Sequence, residues 1–203
     1  MIDTIIINVP RSKARMLSGE RWDLIAKKDF YSKFARNPTK RQKESGRYYP
    51  RLTGVQRAGS ESIVKIEFSI PKLLYLNNLD ELEEKDFKEV IHTLHERLKD
   101  MNLLIFEKDL VNADVSAVHY SKNIVLTSGY TAKHIISELQ KINLNKLNDL
   151  TKTRFMNSGE SLQGYSISNS FVFYDKISDL QKDEKRAIDR EQNPYQRSLF
   201  SSL

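Results

Sequence analysis

The side chains with the most chemical capacity sit together in Asp114-Val115-Ser116-Ala117-Val118-His119-Tyr120-Ser121-Lys122-Asn123-Ile124. Its first half, with Val115 and Ala117 set against Ser116, reads as a strand with one buried face. Its second half supplies an imidazole, a phenol, an ammonium and an amide in succession. Strand side chains alternate faces, so Val118, Tyr120 and Lys122 share one parity while His119, Ser121 and Asn123 share the other. Such a strand displays a flat ring beside a fixed positive charge, which suits a polyanion. The run Ser170-Phe171-Val172-Phe173-Tyr174-Asp175-Lys176 repeats the pattern, with Tyr174 and Lys176 on one parity and Asp175 on the other. The competing reading makes both tyrosines core aromatics and both lysines solvated strand ends.

Charge distribution points the same way. The chain has 203 residues and a formal net charge of +6, and its pI near 9.3 permits nucleic-acid binding without demanding it. Lys27, Lys28, Lys33, Arg36, Lys40, Arg41, Lys43, Arg47, Arg51 and Arg57 crowd one segment, interleaved with Tyr31, Phe34, Tyr48 and Tyr49. Cations and rings together are the composition of a phosphate-contacting arm; a solvated basic loop is the alternative. Acids gather elsewhere, in Asp80–Glu89 and Asp179–Glu191.

Elements must position these groups. Thr4–Val9 is an apolar, β-branched run that predicts a buried strand closed by Pro10. Ser18 to Tyr49 has weak periodicity and reads as loop around a short helix or strand near Trp22–Phe34. Arg47–Gln56 reads as a strand, with Arg57-Ala58-Gly59-Ser60 a turn into the next. In Ile63–Ile70 the residues Val64, Ile66, Phe68 and Ile70 form the buried face, and Lys65, Glu67 and Ser69 the other. Pro71 stops that strand. Asp86–Met101 is the clearest helix, its stripe made by Phe87, Val90, Ile91, Leu94, Leu98 and Met101. Leu103–Phe106 is a short strand, Glu107-Lys108-Asp109 a turn, and Thr131–Ile142 a second helix with Ile135, Ile136, Leu139 and Ile142 inward. Lys152–Phe155, Leu162–Ser168 and Ser170–Ile177 close the series as strands.

This order predicts an α+β fold: an antiparallel sheet with helices packed on one face and the other face open for DNA. Residues 1–60 are expected to hold the N-terminal strand and basic arm, 61–182 the α+β core, and 183–203 a charged helix (Lys185–Glu191) and tail. Leu199, Phe200 and Leu203 would be odd in a free tail and suggest that a longer protein continues.

Several chemistries are excluded. Without cysteine there are no disulfides or thiolate metal sites. Met1–Ile7 lacks a basic n-region and is too short for a signal or a span, so the expected compartment is the cytosol and no membrane partner is expected. No Walker loop, dinucleotide glycine pattern, HExxH or nucleophile elbow occurs. His119 has no histidine two residues away, and His92 and His95 lack an evident third ligand. The remaining reactive set is Glu67, Asp175, His119 and the tyrosines. A tyrosine can attack a phosphodiester if a divalent metal polarises the phosphate, and Glu67 and Asp175 are suitable ligands for a hard cation. Glu67 as an ordinary surface acid is the plainer reading.

Four blocks carry a resemblance to a known family. They are Ile66-Glu67-Phe68-Ser69-Ile70-Pro71-Lys72-Leu73-Leu74, Asn77-Asn78-Leu79-Asp80-Glu81-Leu82, Val118–Ile124, and Phe173-Tyr174-Asp175-Lys176-Ile177-Ser178-Asp179-Leu180. From about Thr53 to about Arg190 the chain resembles phage and plasmid replication-initiation proteins, the group of the filamentous-phage gene II protein N-terminal region and the Rep_trans initiators. The resemblance implies a rolling-circle initiator, a nicking-joining endonuclease that becomes tyrosine-linked to one strand and uses Mg²⁺ or Mn²⁺. Its partners would be origin DNA, single-stranded or hairpin, with a homodimer and host replication proteins as further partners. In that family the attacking tyrosine lies beyond the Tyr-Asp-Lys block. No tyrosine here matches it, and Tyr195 follows the block too soon. Expected DNA contacts are Arg51, Arg57, His119, Tyr120, Lys122, Asn123, Tyr174 and Lys176. A non-catalytic origin-binding regulator and a module for an acidic protein partner are the alternatives.

Overall fold

The apolar run at the start of the chain becomes strand β1 (Ile2–Pro10) and takes an interior place in a sheet rather than an edge. The computed structural model describes residues 2–17, 22–76, 84–122, 124–147, 150–156, 160–167, 169–176, 178 and 181. After β1 come β2 (Arg15–Met16), β3 (Asp23–Lys28), β4 (Tyr31–Arg36), α1 (Lys40–Glu44), β5 (Arg51–Arg57) and β6 (Ile63–Ser69). Then follow α2 (Ile70–Tyr75), α3 (Phe87–Asp100), β7 (Leu103–Leu104), α4 (Glu107–Val111) and β8 (Asp114–Tyr120). The chain ends its described course with α5 (Ala132–Gln140), α6 (Leu144–Leu147), β9 (Lys152–Met156), β10 (Ser161–Tyr165) and β11 (Ser170–Tyr174). Asn123, the Asn77–Leu82 block, the expected helix Lys185–Glu191 and the tail with Tyr195 and Leu199 lie outside the described residues.

Two compact units divide the chain, Met1–Asn123 and Ile124–Leu203. The first holds a six-stranded antiparallel sheet in the order β3-β4-β5-β6-β1-β8. The expected α+β class with an antiparallel sheet is therefore met, and residues 2–57 supply four of the six strands. Alternation in β6 explains the layering: Val64, Ile66 and Phe68 are buried with Ile7, Val9 and Leu52 of neighbouring strands. Against them pack Ile70 and Leu73 of α2, Val90, Ile91, Leu94 and Leu98 of α3, and Leu110 of α4. Each such buried aliphatic side chain contributes about 1.5–3 kcal/mol.

Several sequence expectations need correction. The segment read as loop around a short helix or strand near Trp22–Phe34 is a two-stranded β-hairpin, β3–β4, joined to the sheet through β5. Its apolar anchoring is confined to Phe34, opposite Gly54, and Trp22, whose ring lies 3.5 Å from where a Gly54 side chain would begin. A register shift at Ile25 interrupts the alternation of β3, which is why no period was visible. Thr39 starts a short helix. Its hydroxyl accepts from Gln42 N–H while its own N–H donates to Gln42 Oε1, a capping box that starts α1. Pro71 ends β6 but also opens α2, where its missing N–H has no intrahelical acceptor to lose. Phe87, assigned to the α3 stripe, is 54% exposed. Residues 107–111 form α4, not a turn alone.

In the second unit β11-β10-β9 form a separate three-stranded antiparallel sheet. Thr131 caps α5 by accepting from His134 N–H at 3.1 Å. Ile136, Leu144 and Leu162 form its core with Leu139, Leu150 and Phe171, whereas Ile142, expected inward, is exposed. The Phe171 ring lies directly over Gly164, where a side-chain carbon would also meet Leu150 Cδ1 at 3.1 Å. Gly164→Ala is expected to destabilise this sheet by about 1–3 kcal/mol through overpacking. Hydrogen exchange should speed up in β9–β11 while α3 and β6 stay protected; unchanged protection in β9–β11 would contradict the packing described.

Candidate nucleic-acid interface

Residues directly opposite in an antiparallel ladder share a face, so the face away from the helices can be read from the register. Lys65 stands opposite both Thr53 and Asn8, and Glu67 opposite Arg51 and Ile6. Tyr31 stands opposite Arg57, and Lys33 opposite Val55. On the far side Ala117 and His119 stand opposite Ile6 and Thr4. On this face lies a concavity of about 590 Å³, lined by Asn8, Tyr31, Lys33, Thr53, Arg57 and Lys65 among others; Arg51 and His119 are outside its lining. Within the first unit the core-forming helices α2, α3 and α4 lie on the opposite face.

The electrostatics are lopsided but not uniform. Lys33, Arg57 and Lys65 face the concavity, and the Arg57 guanidinium lies over the Tyr31 ring at 5.9 Å. Glu61 is engaged by the Ser12 hydroxyl at 2.6 Å. Glu67 meets Arg51 at 3.9 Å, an exposed pair of small energetic weight. Arg36, counted in the basic segment, stands opposite Leu52 and is buried on the helix side. Burial lowers its pKa, and its charge is withdrawn from any ligand on the open face. Arg47 pairs with Asp100 at 3.6 Å.

One end of the concave face is closed by hydrogen bonds. The Tyr48 hydroxyl accepts from Ser69 N–H at 2.8 Å, and the Ser69 hydroxyl donates to Asp3 Oδ1 at 3.3 Å. Burial pushes the Tyr48 pKa up, and the nearby charges of Glu67 and Asp3 push the same way. The bond from Ser69 and the charge of Arg51 oppose this more weakly. Tyr48 is therefore a neutral acceptor at physiological pH, not a phenolate.

The structure brings Arg51, Arg57, Glu67 and His119 onto one sheet face and distributes the other expected residues. Tyr120, 77% exposed, shares the parity of Val118 on the helix side of β8. Lys122 lies beyond the end of that strand, and Asn123 is outside the described residues. Tyr174 and Lys176 belong to the second unit, so Tyr120 and Tyr174 are in different sheets. Tyr31, Lys33 and Lys65 were the residues not singled out as contacts. Alternation in β6 already placed Lys65 beside Glu67; Tyr31 and Lys33 needed the hairpin that weak periodicity concealed.

The two carboxylates expected as metal ligands, Glu67 and Asp175, belong to different units. Glu67 is approached by Arg51, while Asp175, in the second unit, accepts from Ser178 N–H at 3.0 Å as a cap. Among the described residues no group of three or more His, Asp or Glu is placed to hold a metal ion. His92 Nδ1 meets Glu107 at 2.8 Å and His95 Nδ1 meets the Ile105 carbonyl at 2.7 Å, so their rings turn to protein partners. Among the described residues no helix is long and apolar enough to cross a membrane. Comparison with protein-family models, with curated proteins and with solved structures finds no match to this chain.

The raised Tyr48 pKa fixes the sign of a pH effect. A folded pKa above the unfolded value contributes stability that is intact below about pH 10 and lost as pH rises through the folded pKa. Thermal melting between neutral pH and pH 11 should show this alkaline loss. Tyr48→Phe should flatten it while costing about 0.5–1.5 kcal/mol at neutral pH, since Ser69 N–H loses its acceptor. An alkaline limb as steep in the variant as in the parent would refute the assignment.

Proposed function

We propose that this chain binds DNA across the concave outer face of its six-stranded sheet, as the origin-binding part of a rolling-circle replication initiator. One observation carries the reading: Lys33, Lys65, Arg57 and Tyr31 line a single concavity on the sheet face opposite the helices. Cations gain affinity for a phosphodiester backbone by releasing condensed counterions. The small concavity and flanking polar groups such as Thr53 and Asn8 offer further contacts to sugar and phosphate. The role in replication rests on the four sequence blocks that resemble initiators.

The resemblance extends the proposal to nicking and rejoining one strand with Mg²⁺ or Mn²⁺, in the cytoplasm. Glu67 and Asp175 belong to different units, so no chemical step is derived through that ion. A second reading is a regulator that occupies the origin without cleaving it.

Both readings require salt-dependent binding. The affinity of the parent chain for a labelled duplex should fall with salt, and Lys33→Glu with Lys65→Glu should flatten the slope by about 1.8, two contacts at about 0.9 each. Affinity indifferent to salt would refute DNA binding on this face. Supercoiled DNA of the encoding replicon, incubated with Mg²⁺, separates the two readings: open circles support the initiator, and binding without open circles supports the regulator.

A further inference from the structure

In the three-stranded sheet the register sorts the side chains into two unlike faces. Leu162 and Gly164 of β10 stand between Phe155 and Thr153 of β9 and Phe173 and Phe171 of β11. This face meets the helices, since Leu162 and Phe171 pack with Ile136 and Leu139 of α5. The opposite face carries Lys152, Arg154 and Met156 of β9, Ser161, Gln163 and Tyr165 of β10, and Ser170, Val172 and Tyr174 of β11. It holds two cations, two phenols and no acid. Lys152 and Arg154 are exposed, and neither forms an ion pair with a described residue. Met156, Val172 and Tyr174 are each more than two-fifths exposed. Tyr165 is held in place, its hydroxyl donating to Gln163 Oε1 at 2.7 Å.

We infer that this face is a second nucleic-acid surface, specialised for a single strand. The inference rests on reading the chain as a nucleic-acid binder and extends it to a surface with different chemistry. The concavity of the first unit offers cations and one ring already covered by Arg57. The three-stranded face instead offers rings separated along the sheet. Tyr165 stands opposite Ser170, four residues from Tyr174 on the same strand, a separation of about 13 Å along the strand direction. Bases in a duplex present only their edges, whereas a single strand exposes base faces that can lie on such rings. Lys152 stands in the row of Tyr165, Arg154 in the central row, and the row of Tyr174 carries Ser161 and Met156, so phosphates of a strand crossing the face meet one cation beside Tyr165 and a second between the two rings. An acidic protein segment would be attracted by the same two cations but has no use for spaced rings.

The test measures binding of a labelled oligothymidylate of about 15 nucleotides, and of a labelled duplex, to the full chain. Lys152→Glu with Arg154→Glu is expected to weaken oligothymidylate binding at least about tenfold and to flatten its salt slope by about 1.4. Tyr174→Ser is expected to weaken it about fivefold or more, and Tyr174→Phe, which keeps the ring, to leave it within about twofold. Duplex affinity should change little in all three, while Lys33→Glu with Lys65→Glu should weaken it. Circular dichroism melts identify folded variants; a photocrosslink from a bromouracil-substituted oligonucleotide to the parent chain should fall in the Lys152–Tyr174 peptides. Oligothymidylate affinity unchanged by both the charge reversal and Tyr174→Ser overturns this inference and leaves the first surface standing. Equal losses for single strand and duplex, or retention of polyglutamate with no retention of oligothymidylate, also overturn it. Failure of the parent chain to bind either nucleic acid overturns the proposed function itself.

Discussion

The pairing of β6 with β1 is the constraint on which the first unit depends. Ile66 stands opposite Ile7 and Glu67 opposite Ile6, so one register commits alternate residues of both strands to opposite faces. A slip of a single residue would bring Lys65 and Glu67 into the space now filled by Leu94 and Leu98 of α3. Burying those charges unpaired costs far more than the ladder hydrogen bonds of the strand can offset. The apolar residues of β6 thus determine where its charged ones point, and the open face follows from the core.

Much of this was legible before any coordinates. The Val64-Ile66-Phe68 alternation and the Val90-Ile91-Leu94-Leu98 stripe each meet a strong periodic requirement, and both elements formed where expected. Less legible were elements stabilised by a few specific contacts. The β3–β4 hairpin depends on Phe34 and Trp22 over Gly54, a contact between residues far apart in sequence that no local window contains. Helix α1 went unread, since a five-residue helix held by the Thr39–Gln42 capping box has too little periodicity to reveal itself. The candidate site inherited the same limits. Arg57, Arg51 and Glu67 lie on regular strands and were placed; Tyr31 and Lys33 were named in the basic arm, but their position on a sheet face depends on the hairpin.

Strand β8 shows how an irregularity redirects chemistry. Alternation alone would place Val115 and Ala117 on one face. The register shifts between Ile6 and Ile7, and the Ser116 hydroxyl donates to the Ile6 carbonyl at 3.1 Å. The extra residue separates the parities of Val115 and Ala117, so Ala117 joins the concave face while Val118 stands opposite Ile5 on the other. Tyr120 follows Val118, and His119 remains with the cations. Edge strands with bulges also resist pairing with a further strand, consistent with a face, rather than an edge, as the functional surface.

The cations of the open face can be accommodated because the sheet itself spaces them. Lys65 belongs to the row through Thr53 and Ala35, whereas Lys33 belongs to the row through Val55 and Ile63. They are two strands and two residues apart, about 12 Å from strand spacing and rise. Measured between their strand positions, that exceeds the screening length of about 8 Å at physiological salt. A flexible polyanion laid across the sheet approaches each cation to contact distance in turn, well inside that length. That geometry makes the cations additive toward an extended anionic chain.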